Sequence, residues 1–196
     1  LTHPNNPTTT VFDRESLEAV RKTVCRHDLI LVVDQAFEDF TFEREMIAPA
    51  SMEGMFAHTI TVCSTSKGYG LSGYRVGYII AEDVFMDVYY GCAVSVIGAT
   101  NTVSQLAVLA AMEDESFMQE FEAAYDWRRH QAEEILSGIP GVQIQLPQSG
   151  FLCWVDVSGL ADSSAVCARL LSDARVSVND GKNYGPGGEK GFRIVL

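Results

Sequence analysis

Short unbroken apolar runs alternate with stretches whose apolar residues recur every three to four positions, and this alternation continues through most of the chain. After Asp13, a candidate cap, Leu17, Val20 and Val24 recur at helical spacing in FDRESLEAVRKTVCRHD, which predicts an amphipathic helix. LILVVD, residues 29–34, is a continuous apolar run and predicts a strand covered on both faces. HTITVC and RVGYII predict two more strands, and helical patterns follow at about 83–91, 101–114 and 115–137. The last of these carries Phe117, Phe121, Ala124, Arg128, Ala132, Ile135 and Leu136; its length and mixed faces predict a helix shared by two bodies. GIPGVQIQLPQSG then interrupts the periodicity with Gly and Pro. FLCWVDV opens a second module, with a helix expected near 162–173 and strands near 175–179 and 191–196. The order predicts an α/β architecture with a central, mostly parallel sheet over residues 1–125. Residues 126–196 are then the end of the shared helix and part of a smaller α+β domain.

Composition narrows the function classes. The 196 residues are 47% hydrophobic and 20% charged, enough apolar material for a sizeable core. A net charge of −12 without any long basic run argues against nucleic acid or an anionic membrane as the partner. No apolar run reaches membrane-spanning length. Five scattered cysteines show neither a disulfide framework nor metal-ligand spacing, which favours a reducing, cytoplasmic compartment. The four histidines also lack ligand spacing, so no metal is expected. The chain opens on the turn-rich LTHPNNPTTTVF without an initiator Met and ends on GFRIVL, a strand cut short. It is therefore expected to be a piece of a longer protein.

Candidate chemistry sits where apolar runs end. Asp34 closes LILVVD, and Ser64 and Lys67 follow HTITVC; ligand groups in α/β sheets gather beyond the carboxyl ends of strands. Arg75 opens RVGYII, so that strand must run the other way for Arg75 and Lys67 to meet at one end. Asn6 lies in a Pro-flanked loop, and Gly68, Gly70 and Gly73 permit tight turning near a ligand. Taken one at a time, each has an ordinary reading: a loop acid, a solvated turn, a surface cation. Together they supply what an anionic aromatic aldehyde requires. An amine forms the Schiff base, a guanidinium and a hydroxyl hold a phosphate, and a carboxylate keeps a ring nitrogen protonated. Phe37, Phe40 and Phe42 read as packing, and Glu38 and Asp39 as an acid cluster without a general acid/base role.

HPNNPT, VVDQAF, STSKGYGLSGYRVGY and GFRI occur in this order and resemble the motifs of fold-type I pyridoxal-phosphate enzymes, specifically the class I/II aminotransferase superfamily. The resemblance extends from Asn6 to Arg193. It implies a pyridoxal 5'-phosphate cofactor, with Lys67 as the catalytic lysine that bears it and later moves the substrate Cα proton. It implies Asp34 at the ring nitrogen, Asn6 at the phenolic oxygen, Ser64 and Arg75 at the phosphate, and Arg193 on the substrate α-carboxylate. Phe37 departs from the pattern, because many relatives carry a tyrosine there that donates to the phenolic oxygen. The implied activity is amino-group transfer between an amino acid and a 2-oxo acid, in a homodimer. The same residues also suit carbon–sulfur β-elimination, which the tail VSVNDGKNYGPGGEKGFRIVL resembles, or decarboxylation, which DQAFEDF resembles. An aminotransferase-like domain of a transcription regulator is the reading from another class.

Overall fold

The computed structural model describes residues 1–196, which divide into two compact units: Leu1–Pro4 with Val11–Gln119, and Asn5–Thr10 with Glu120–Leu196.

The first unit begins with α1 (Arg14–Arg26). Asp13 caps it by accepting the Ser16 N–H at 2.8 Å, and Leu17 and Val24 are buried, so the predicted stripe is the packed one. Strands β1 (Leu31–Asp34), β2 (Thr59–Ser64) and β3 (Gly77–Ile80) form one sheet in that order. β1 and β2 are parallel, whereas β2 and β3 are antiparallel with Ser64 opposite Gly77. The sheet in this chain is therefore mixed, and β3 runs in the direction that the placement of Arg75 required. β2 is largely buried, with Thr59, Ile60, Thr61 and Cys63 all inside. In β1, Val33 is fully buried and Val32 is 47% exposed within these 196 residues. Helices α2 (Asp83–Val96) and α3 (Thr102–Glu113) follow. Within these 196 residues α2 buries no residue, and an open groove of about 630 Å³ lies between it and β2 and β3.

Helix α4 (Ser116–Ser137) belongs to both units by sequence. The second unit is built on a four-stranded antiparallel sheet ordered β4 (Gln143–Ile144), β5 (Leu152–Asp156), β7 (Gly191–Val195), β6 (Asn179–Asp180). Its core is Cys153, Val155, Val157 and Phe192, with Leu136 of α4 and Val166, Cys167 and Leu170 of α5 (Ser163–Ala174) packed against it. Side chains alternate across a strand. With Cys153 and Val155 directed into this core, Trp154 and its cross-strand neighbour Arg193 fall on the other face. The strand expected near 175–179 is reduced to Asn179–Asp180. Arg175 takes a left-handed conformation (φ 59°) to end α5, and the Val176 N–H returns to the Leu170 carbonyl at 3.0 Å. The helix exit uses residues that β-propensity alone assigns to the strand.

Candidate functional site

Within the first unit, topology brings the backbone positions of Asp34, Ser64, Lys67 and Arg75 to one end of the sheet's strands. Parallel pairing places the last residues of β1 and β2, Asp34 and Ser64, at the same end. Antiparallel β3 starts opposite Ser64, so Arg75, two residues before it, lies at that end as well. The Asp34 side chain is exposed and accepts the Ala36 N–H at 3.0 Å. Its backbone is fixed from the other side, with the His3 N–H donating to the Asp34 carbonyl at 2.9 Å and the Asp34 N–H to the Leu1 carbonyl at 2.8 Å. His3 is fully buried and Val11 likewise. The Phe12 N–H donates to His3 Nδ1 at 3.3 Å, and Nε2 lies 3.3 Å from the Ile47 carbonyl. An Nδ1 that accepts leaves Nε2 to donate, which describes a neutral ring. Burial lowers the pKa of His3 in the same sense.

Lys67 sits on a closed turn. The Leu71 N–H donates to the Thr65 carbonyl at 3.2 Å and the Gly70 N–H to the Lys67 carbonyl at 3.1 Å. Buried Thr65 donates from Oγ1 to the Val76 carbonyl at 2.9 Å, and the Ser66 N–H reaches Ser64 Oγ at 3.2 Å. Gly70 takes φ 67°, a value that costs glycine little. Gly68 is required for a different reason, since an ideal Cβ there would lie 2.1 Å from Asp39 Oδ2. Gly73 meets nothing within 4 Å, so the third glycine of the motif is not demanded by packing. The left-handed position near it is instead Arg75 itself (φ 58°, ψ 44°), which donates from Nη1 to the Ser72 carbonyl at 2.8 Å. The Lys67 Nζ lies 5.7 Å from the centroid of the Phe37 ring, within cation–π range, and Phe37 is buried.

The electrostatics beneath this turn are acidic. The Asp39 carboxyl accepts the Gly68 N–H at 3.1 Å. Burial, with the Glu38 charge adding to it, nevertheless raises its pKa to about 6. The Tyr69 hydroxyl donates to Glu115, and its ring meets Phe117 edge-on. Burial pushes the Cys63 thiol up to about 12, with Glu38 contributing in the same direction.

In the second unit, Arg193 Nη1 donates to Asn6 Oδ1 at 3.0 Å. Arginine has no acceptor, so this bond fixes the amide orientation and leaves the Asn6 NH₂ to donate elsewhere. The guanidinium lies over the Tyr184 ring at 5.4 Å, and Trp154 meets Tyr184 edge-on at 6.2 Å. Arg193 Nε is buried and has no hydrogen-bond partner.

The loop that carries Asn6 is held from a residue that sequence reading passed over. Arg129, buried at 3% exposure, donates to the Pro147 carbonyl at 2.9 Å and forks onto Asp126 at 2.6 and 2.8 Å. Two residues after Pro147, Ser149 Oγ donates to the Thr9 carbonyl at 3.0 Å, while the Gln148 N–H reaches Thr9 Oγ1 at 3.3 Å. Thr9 in turn closes the loop by donating its N–H to the Asn5 carbonyl at 2.8 Å. Charge on a helix normally marks the solvated face, so nothing in the α4 pattern singles out Arg129. Asp39 was likewise visible only as one member of an acid cluster.

One end of a mixed α/β sheet thus carries a carboxylate, a hydroxyl, an amine and a guanidinium. The description "aminotransferase class I and II" matches residues 1–196, and the chain belongs to that family. It is 31% identical over 192 residues to the aspartate aminotransferase of Musicola paradisiaca, covering 94% of this chain and 47% of that protein. It is 30% identical to the arginine–pyruvate transaminase of Pseudomonas aeruginosa, covering 100% and 50%. Among solved structures, the aromatic aminotransferase from Pyrococcus horikoshii superposes with a TM-score of 0.93 at 30% identity, covering 99% of this chain and 53% of that one. The chain spans about half the length of the curated relatives it matches. The α/β fold expected from the sequence is the one these structures share.

Proposed function

We propose that this chain is part of a pyridoxal-5'-phosphate-dependent aminotransferase that moves an amino group between an amino acid and a 2-oxo acid. The observation that carries the reading is the placement of Asp34, Ser64, Lys67 and Arg75 at one end of the sheet's strands. The donor set fits the cofactor: an exposed carboxylate for a ring N–H, a hydroxyl and a guanidinium for a phosphate, and an amine for an aldehyde. When bound, the cofactor supplies an electron sink for the substrate Cα. Lys67 is the nucleophilic amine, and once free it takes and returns the Cα proton. Asp34 keeps the ring nitrogen protonated by charge. Arg193, with its unpartnered Nε, holds the substrate α-carboxylate, and Asn6 donates its NH₂ to the phenolic oxygen. Phe37 packs against the ring and the lysine without supplying the hydroxyl that many relatives have.

On this reading residues 1–125 belong to the cofactor-binding large domain and 126–196 to the interdomain helix end and the small domain; the division at Gln119 supports the boundary, while Asn5–Thr10 group with the second unit. A cytoplasmic homodimer is part of the same proposal, supported by the family and by five free cysteines. The β-lyase, decarboxylase and regulator readings are not favoured, because relatives matched along this chain are named aminotransferases.

The test is borohydride reduction of the cofactor-loaded full protein, followed by digestion. The label is expected on Lys67, and Lys67→Ala is expected to lower turnover at least about 100-fold, the usual share of a proton-transferring group. A label on any other residue overturns the reading.

A further inference from the structure

Glu38 and Asp39 follow the strand that ends in Asp34, and neither is needed for the chemistry above. Asp39 nevertheless reaches across to the lysine turn, where its Oδ2 accepts the N–H of Gly68, the residue directly after Lys67, at 3.1 Å. Gly68 is buried, so water cannot replace this acceptor, and an unmet buried amide is costly. The fit is mutual: an ideal Cβ on Gly68 would sit 2.1 Å from Oδ2 and 2.2 Å from both Cβ and Cγ of Asp39. Only glycine lets the carboxylate come this close. A second tie acts on the next residue, where the Tyr69 hydroxyl donates to Glu115. The segment bearing Asp34 thereby also holds the segment bearing Lys67.

We propose that Asp39 is a positioning residue for Lys67: its ionised carboxylate, by accepting the Gly68 amide proton, fixes the turn that presents the lysine amine, and protonation releases that turn. The inference rests on reading Lys67 as the cofactor-bearing lysine. A carboxylate accepts an amide proton more strongly than a neutral acid does, so the clamp weakens on the acid side. The groups facing Asp39 are Glu38 beside it, Glu115 ahead of α4, Tyr69 on the turn, and Cys63 and Tyr78 on β2 and β3. Burial and the Glu38 and Glu115 charges oppose its ionisation while the Gly68 N–H favours it, and the balance places the transition at about 6. The clamp is then closed at neutral pH and opens within the range an enzyme meets.

Two measurements on the full protein from pH 5 to 8 test this. The first is hydrogen exchange of the peptide spanning residues 64–71 in the cofactor-free protein, corrected for the intrinsic pH dependence of exchange. The second is the rate of pyridoxal 5'-phosphate uptake, followed by absorbance. In the wild type both protection and uptake rate are expected to fall about tenfold through pH 6, the worth of one charge-assisted hydrogen bond. Asp39→Asn, which keeps the shape without the charge, is expected to hold the low-pH values throughout and show no step. A step that survives in Asp39→Asn overturns the proposal. If that variant does not fold, the wild-type exchange profile decides alone, and the lack of a step near pH 6 overturns it. Should the borohydride label miss Lys67 while the exchange step persists, the functional reading fails and the clamp on the turn stands.

Discussion

Replacing Arg129 with methionine is expected to destabilise the second unit by about 2–4 kcal/mol. The substitution keeps an unbranched apolar stem and removes the guanidinium. The Pro147 carbonyl then loses a charged donor at 2.9 Å in a buried setting, and such bonds contribute about 1.5–3 kcal/mol. The ion pair to Asp126 contributes less, roughly 0–1 kcal/mol, because the Asp126 side chain is 47% exposed and rehydrates once released. That exposure keeps the sum below the upper end of the range of about 3–5 kcal/mol for breaking a fully buried pair. Arg129→Lys retains the charge but not the fork, so it is expected to cost about half as much. Trp127 and Trp154, the two tryptophans of this sequence, both lie in the second unit, so their fluorescence in urea reports on that unit. Because Arg129 anchors Pro147 two residues ahead of the Ser149–Thr9 contact, exchange at residues 5–10 should rise together with the loss of stability. A midpoint for Arg129→Met that matches the wild type, with unchanged exchange in the Asn6 loop, would refute the reasoning.

Two further outcomes follow from the same geometry. Gly191→Ala places a Cβ 2.4 Å from the Val155 carbonyl oxygen and 2.9 Å from the Trp154 ring; a ladder carbonyl cannot yield, so a loss of about 1–3 kcal/mol is expected, and wild-type tryptophan-monitored stability would contradict it. Phe37→Tyr restores the phenol that many relatives carry, beside the Lys67 amine 5.7 Å from the ring. It is expected to lower the midpoint of the visible-absorbance pH titration of the cofactor-loaded protein, and an unchanged midpoint would show that the missing hydroxyl has no electronic consequence.

The elements were legible where a local signal exists. Asp13 announces α1, and apolar runs mark β1 and β2. The spacing of polar groups after those runs locates Lys67, Ser64 and Asp34, while the antiparallel sense of β3 follows from requiring Arg75 at their end. Local signal failed where a neighbour competes for the same residues, as at 175–178, which the left-handed exit of α5 takes from the strand. It failed again at Gly73, where a glycine suggests a conformational demand that Arg75 meets instead.

By itself the sequence determined which groups are available for chemistry and at which strand ends they stand, because strand periodicity and chain direction are local properties. Only the tertiary structure decided what holds those groups. Asp39 meets Gly68 across 29 residues, Ser149 meets Thr9 across 140, and Arg193 meets Asn6 across 187. Each pairing joins a polar side chain to a partner far away in sequence; its importance comes from burial, and burial is a property of the folded packing rather than of any stretch of chain.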